Sequence, residues 1–431
     1  MKNQIINKFV GVIIISCVPF AAFASGFRLP ESSIAGLSLS NAVVANNDIT
    51  GAMIYNPALM SAQDERRTVT VGMMNFRLDA HVDPDVGNET DSEGDDSVLI
   101  PNFYYMSRVS PDWAWGLGVN APFGLETKWP AGTFGTFQLP VPPTPPALAA
   151  QIAALEPETS KLEVINITPN VSFKIDDHNF LALGINFYEV RELIFNTQEI
   201  DIDGEGRANG YTLAYFYQRG VWSFGATYRS AVEVDVDGSI EDSGFAGGIR
   251  TDATAKIELP DMFQIGIRNK VNEQFAVEFD IERTNWSSFD VIDIEHEHPA
   301  IPSPITNTNE WDNVYAYRFG VTYQHNNKLQ FRFGYTRDET PQSEKYFSAR
   351  IPDADRQLFS AGLSYKFKDD LEFEGGLMFV KFNNRTIDRP AGSFVSKLPG
   401  DTEANGTDAY NGKYESNALV IGFGLTASFD H

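Results

Sequence analysis

The sequence predicts an all-β protein, a 14-stranded antiparallel transmembrane β-barrel. Three observations carry that reading. Segment after segment alternates apolar with polar or small side chains. The connections between segments alternate short and long. Beyond the amino terminus no run of about 18 apolar residues offers a membrane-spanning helix.

The first 24 residues read as an export signal to be removed. Lys2 and Lys8 are followed by the apolar run from Val10 to Phe20 and the A-x-A site Ala22-Phe23-Ala24, so the mature chain is expected to begin at Ser25. Ile14-Ile15-Ser16 ahead of Cys17 also permits a lipoprotein reading, but the apolar run continues past the cysteine to the A-x-A site. Cys17 is the only cysteine, so a chain cut after Ala24 has no disulfide and no thiolate ligand.

Alternation is most legible near the carboxyl end. Tyr315, Tyr317, Phe319, Val321 and Tyr323 alternate with Ala316, Arg318, Gly320, Thr322 and Gln324. Leu419, Ile421, Phe423 and Leu425 alternate with Val420, Gly422, Gly424 and Thr426. A strand turns successive side chains to opposite faces. Here one face is crowded with aromatics while the other takes charge, as in Phe275-Ala276-Val277-Glu278-Phe279-Asp280-Ile281-Glu282. That suits a wall with lipid outside and a polar lumen, and it disfavours a sandwich of seven to nine strands, which a much shorter chain would complete.

The predicted strands are 66–78, 97–108, 113–123, 161–175, 179–191, 207–218, 221–235, 252–268, 274–285, 311–325, 328–337, 355–367, 370–382 and 414–429. Ser110-Pro111-Asp112, Asp176-Asp177-His178, Arg219-Gly220, Asn269 to Glu273, Asn326-Asn327 and Lys368-Asp369 are short connections. The others, 79–96, 124–160, 192–206, 236–251, 286–310, 338–354 and 383–413, are long. Short periplasmic turns and long outer loops give this alternation when both ends of the chain lie in the periplasm. Pro101, Pro122, Pro169 and Pro260 fall within strands and predict local bulges. Pro122 stands apart, because it follows a well-alternating strand and lies beside Gly118 and Gly124.

The formal net charge is -25. So acidic a chain lacks the basic surface on which nucleic-acid affinity depends. No G-x-S-x-G elbow or H-E-x-x-H occurs, and His81, His178, His296, His298, His325 and His431 fall mainly in connections, so no enzyme is expected.

Gly26-Phe27-Arg28-Leu29, Ser33-Ile34-Ala35-Gly36-Leu37 and Asn56-Pro57-Ala58 resemble the amino terminus of the FadL-type outer-membrane transporters of long-chain fatty acids and other hydrophobic compounds. "APFGLETKW", "TYRSAVEVDVDG", "ELPDMFQIG", "TNWSSF" and "IPDADRQLFSAGLSYKF" follow in the order that family has them. The resemblance implies residues 25–65 as a hatch (plug) of short helices inside a barrel formed by residues 66–431. It implies capture of substrate at outer loops, a pocket near the hatch, and lateral exit where strand 3 bends inward. That bend is assigned to Pro122, Phe123 and Gly124. It implies a bacterial outer-membrane location, contact with lipid and lipopolysaccharide, a monomer, and neither cofactor nor metal.

The local chemistry of the amino-terminal stretch agrees. Asn56 is a helix cap with Pro57 in the first turn, and Ile34, Leu37, Asn41 and Val44 fall at helical spacing. Ala35, Gly36, Ala42, Ala45 and Gly51 are small enough for a filled lumen. A fatty-acid carboxylate calls for a cation. Arg318 and Arg332 point inward by parity, Arg28 lies in the hatch and Arg356 opens strand 12, so these four, with Phe27 and Leu29, are the candidate substrate-binding residues. Glu278, Asp280, Glu282 and Glu374 face the same lumen, so a structural ion-pair network is the competing reading of the arginines.

Outer loop 2 runs from Pro140-Val141-Pro142-Pro143 into an apolar helix-like stretch with Ala147, Leu148, Ile152 and Leu155, a candidate capture surface. "EHEHP" in outer loop 5 sets His296 and His298 at alternate spacing, but without a firm third ligand it reads as a solvated loop. The acidic loops repel carboxylates, which keeps neutral or aromatic hydrocarbons open as the alternative cargo. A general porin and an outer-membrane hydrolase are the remaining rivals.

Overall fold

A computed structural model describes residues 26–63, 66–94, 97–138, 155–244, 246–397 and 404–429. The leader with Cys17, the Pro140–Pro146 segment with Ala147, Leu148 and Ile152, and the terminal Asp430-His431 lie outside the described residues.

Fourteen antiparallel strands close into one barrel. They are β1 Arg67–Pro84, β2 Val98–Ser110, β3 Trp113–Lys128, β4 Pro157–Lys174, β5 Asn179–Thr197 and β6 Ile200–Arg219. β7 is Trp222–Arg229 with Val232–Asp242, and β8 is Arg250–Leu259 with Met262–Lys270, each a single stave with a short break. Then come β9 Phe275–Thr284, β10 Val314–Gln324, β11 Leu329–Asp338, β12 Arg356–Lys368, β13 Leu371–Phe382 and β14 Gly412–Phe429. The barrel closes where β1 pairs with β14, from Arg67↔Phe429 to Pro84↔Gly412. No helix among the described residues is long and apolar enough to cross a membrane.

The expected parity holds in three dimensions. Leu183, Phe319, Phe333 and Phe423 are exposed on the outside, while Ala316, Arg318, Arg332 and Glu278 are buried inside. An exposed belt of such side chains is favourable only against lipid, since each would cost roughly 25 cal/mol per Å² of apolar surface in water. On β5 the belt of Leu181, Leu183, Ile185 and Phe187 ends outward at Glu189 and Arg191, which marks one membrane boundary.

Two expected outer loops turn out to be mostly strand. The stretch predicted as loop 192–206 is a hairpin in which only Gln198 and Glu199 lie between β5 and β6, and β7 runs on to Asp242 where a loop was expected from 236. Both departures have one cause. The wall extends beyond the lipid, where the outer face turns polar and the apolar side chains, such as Ile200, Ile202, Val234 and Val236, point inward instead, while the cross-strand ladder continues, as in Asp201↔Glu241 and Gly204↔Gly238.

Residues 26–63 pack inside the barrel with few exposed side chains. Their short helices are Ile34–Ser38, Thr50–Ile54 and Pro57–Ser61. Ser33 caps the first by accepting from the Gly36 N–H at 3.0 Å. Asn56 caps the third as expected, accepting from the Ala58 N–H at 3.0 Å with Pro57 in the first turn. The longer helical face expected through Asn41 and Val44 does not form. Ser40 and Asn41 take left-handed backbone conformations that end the helix, and Asp280 captures the Val43 and Val44 N–H groups that a helix would have used (3.0 and 3.1 Å).

The wall makes room for this segment with glycine. A Cβ on Gly225 would overlap the Val44 carbonyl oxygen, and one on Gly334 would overlap the backbone at Leu39. The inward glycines of the alternating strands are therefore the bed on which the amino-terminal segment lies.

Candidate functional site

The wall is interrupted between β2 and β3. β2 pairs with β3 from Ser110↔Trp113 only as far as Phe103↔Val119. Beyond that, β2 keeps β1 as its neighbour out to Phe76↔Val98, while β3 keeps β4 through a register shift between Asn120 and Phe123. Residues 98–102 and 120–128 thus face each other without a ladder. Pro122 has no N–H to give, and the strand bends there toward the amino-terminal segment. Leu29 N–H donates to the Pro122 carbonyl at 2.9 Å, Gly124 N–H donates to the Phe27 carbonyl at 3.0 Å, and Asn120 Nδ2 donates to Ser32 Oγ at 3.0 Å. Residues 27–29 stand in for the strand that β3 has lost.

A cavity of about 420 Å³ opens at this break. Inward-facing Phe76, Leu78 and Ile100 line it, and so do Arg77 and Leu99, whose side chains are on the outer face of the same strands. It therefore passes through the wall. Phe27, Arg28, Leu29, Phe123, Gly124 and Arg356 also line it, and Pro122 lines a smaller cavity of about 20 Å³ beside Arg28 and Leu29. Phe27 is held in a ring cluster, 4.6 Å from Trp286, 5.2 Å from Phe289, 5.6 Å from Trp311 and 6.0 Å from Phe123 between centroids.

Arg318 and Arg332 lie away from the cavity. Arg318 is fully buried, 3.5 Å from Glu282. Arg332 pairs with Glu374 and lies 3.7 Å from Glu372. Arg28 and Arg356, which line the cavity, are paired as well. Arg28 donates to Glu282 at 2.9 Å, and Arg356 directs two donors to Asp338 Oδ2 at 3.0 and 2.9 Å. Removing one member of such a buried pair typically costs about 3–5 kcal/mol, because the other charge is left bare.

Sequence reasoning missed Asp353. It lies in the outer connection before β12, within the "IPDADR" stretch, lines the cavity, and binds the Gly26 N–H at 2.9 Å and the Thr340 hydroxyl at 2.6 Å through Oδ2. Burial pushes its carboxyl up to about 6, against the opposing pull of Arg356, Thr340, Gly26 and Arg385. No local pattern distinguishes it from Asp355, so a signal was available only in the motif that contains it. Glu282 was expected in the lumen by parity, but which arginine it holds, and Asp338 as the partner of Arg356, become visible only once strands are paired.

The EHEHP stretch is not the solvated loop it was expected to be. His296 and His298 are buried, and His298 Nε2 lies 3.2 Å from Asp242 Oδ2 and 3.1 Å from the Ile249 carbonyl. Asp242 meanwhile accepts four backbone N–H groups of the 243–249 turn. Among the described residues no group of three His, Cys, Asp or Glu side chains has the geometry to hold a metal ion.

Comparison with known proteins agrees with the architecture. A long-chain fatty acid transport protein of Escherichia coli O6:H1 is 22% identical over 489 residues, spanning 99% of this chain and 100% of the relative. A 47 kDa outer membrane protein of Pasteurella multocida is 24% identical, spanning 91% and 96%. Among solved structures, a Pseudomonas aeruginosa FadL homologue superposes with a TM-score of 0.77 at 15% identity, covering 94% of this chain and 100% of that one. The Ralstonia pickettii toluene transporter TbuX gives 0.66 at 15%, covering 92% and 98%. At these identities the structures establish the fold. The family model described as "outer membrane protein transport protein (OMPP1/FadL/TodX)" matches residues 15–139 and 148–429, nearly the whole chain, and the protein is a member of that outer-membrane transport family.

Proposed function

We propose that the protein carries hydrophobic small molecules, long-chain fatty acids foremost, from the cell exterior into the outer membrane. Residues 26–63 act as the hatch, and the break between β2 and β3 at Pro122, Phe123 and Gly124 acts as the lateral gate. One observation carries this reading: the cavity beside the hatch is lined from both faces of the wall, so it connects the interior with the lipid side. An alkyl chain gains about 0.8 kcal/mol per CH₂ on leaving water. Release sideways into lipid keeps that gain, whereas release into an aqueous channel forfeits it. No bond need be made or broken, so the protein works without catalysis, cofactor or metal. It acts as a monomer among lipid and lipopolysaccharide, after loss of residues 1–24. Phe27, Leu29, Arg28 and Arg356 form the binding cavity. Arg318 and Arg332 serve the interior ion-pair network that holds the hatch.

Uptake of labelled oleate by cells with and without the protein tests the proposal, and equal uptake would sink it. Toluene uptake in the same cells addresses a second reading, transport of neutral or aromatic hydrocarbons. That reading is favoured by the aromatic cluster around Phe27 and by the paired state of the arginines. Lipase activity in the pure barrel would revive the hydrolase. A large single-channel current in the intact protein would revive the porin.

A further inference from the structure

Among the described residues, each cation on the cavity lining already has a carboxylate. Arg28 has Glu282, which it shares with Arg318, and Arg356 has Asp338. Lys161 lies 3.6 Å from Glu126 and 3.0 Å from Glu192, and Arg77 lies 3.4 Å from Asp79. The Arg77 and Lys161 pairs are exposed or partly so, but in the buried part of the cavity a guest anion would have to take Arg28 or Arg356 from its partner or stand unpaired beside acidic groups, and both are costly in a desolvated site. The lining also carries carboxylates of its own. Glu31 accepts from Asn41 Nδ2 at 2.9 Å. Both hydrogen bonds to the Asp353 carboxylate from described residues fall on Oδ2, and none falls on Oδ1. The route out leads between Leu99 and the bent β3 to the lipid face, where an ionised head group gains nothing.

We propose that this cavity takes its guest uncharged, a fatty acid entering as the protonated acid with its hydroxyl hydrogen donated to Asp353 Oδ1, and that it discriminates against permanent anions. The inference rests on the transport reading above and specifies the form of the cargo. Asp353 faces Arg356 on β12 and Arg385 beyond β13, with Asp355 next along its own connection, and Arg28 and Glu31 of the hatch share the cavity. A carboxyl whose titration burial pushes up to about 6 is suited to sharing a proton with a fatty acid. Neutral hydrocarbons satisfy the same condition, so one cavity serves both cargo classes.

The test is a ligand series on the purified full chain in nanodiscs, with binding read from quenching of tryptophan fluorescence. The probes are oleyl alcohol, oleic acid and a hexadecyl sulfonate, which stays ionised throughout. The expected order at about pH 7.5 is alcohol strongest and sulfonate at least about tenfold weaker, the scale of a modest unpaired-charge penalty. Oleic acid should approach the alcohol at about pH 5 and fall away as pH rises. Asp353→Asn should raise the sulfonate-to-alcohol affinity ratio by about tenfold. Sulfonate binding equal to alcohol binding in the unaltered protein overturns the inference while leaving transport intact. Failure of all three probes to bind removes the cargo reading, and the inference with it. The series on the unaltered protein keeps the test independent of whether the variant folds.

Discussion

β3 and β8 each carry a proline in the middle of an alternating run; β8 goes without a partner on its β9 side only over residues 256–261 and regains one at Ala255↔Ile294, whereas β3 does not regain β2. At Pro260 the ladder to β7 resumes at once, with Leu259↔Val232 on one side of the break and Met262↔Arg229 on the other, while β9 joins at Met262↔Thr284. At Pro122 the ladder to β4 is recovered after a register shift, but the ladder to β2 is not. The missing N–H is the same loss in both. The difference is that at Pro122 a third partner is present: residues 27–29 take up the backbone groups that β2 no longer reaches. A proline in a barrel strand becomes an opening only where something inside the lumen can hold the bent strand in place.

Removing that partner should have the largest effect. Deletion of residues 26–63 should raise single-channel current in planar bilayers by at least about tenfold, since an unfilled lumen of this width conducts. An unchanged closed state would mean the outer loops, not the hatch, seal the barrel. The next effect concerns the opening itself. A Cβ on Gly124 would lie 2.8 Å from Leu29 Cδ1, so Gly124→Trp should crowd the gap and lower oleate uptake about tenfold in cells. Pro260→Thr, at the other break, should change uptake less than about twofold, because that break does not border the cavity. Equal losses at both positions would erase the distinction between the two prolines.

A smaller effect concerns how firmly the partner is held. Asn56 is fully buried, caps Ala58, and donates through Nδ2 to the Val44 and Tyr215 carbonyls at 2.8 and 3.0 Å. Asn56→Ala should weaken the hatch by about 1–2 kcal/mol, seen as faster amide exchange in residues 43–61 with β8 amides unchanged. The smallest effect is a pH dependence. Because burial raises the Asp353 carboxyl to about 6, its contribution to stability is complete below the ordinary carboxylate value and is lost as pH rises through about 6. The thermal midpoint of the unaltered protein minus that of Asp353→Asn should therefore be larger at about pH 4 than at about pH 7.5, by about 1–2 °C. The opposite sign would show that Asp353 is held ionised.

Much of the wall was legible in advance because a two-residue period leaves its mark on every strand, and the parity of Phe319 and Arg318 survives folding unchanged. The cap at Asn56 was legible because capping is a contact between neighbours in sequence. The helix through Asn41 and Val44 was misread because Asp280, 236 residues beyond Val44, captures the backbone there. The burial of His296 and His298 was hidden for the same reason, since Asp242 and the 243–249 turn lie on other strands.

The sequence by itself determined the class of fold, the number of staves and which residues face lipid, because these depend on periodicity and short-range chemistry. Tertiary structure alone decided which proline becomes an opening, which arginines are already paired, and that Asp353 faces the cavity. Those properties depend on groups brought together by strand pairing and by a hatch lying on glycines, such as Gly225 and Gly334, that are far from it in sequence. The pattern of a strand shows where it can bend, but the hydrogen bonds that hold the bend come from elsewhere in the chain.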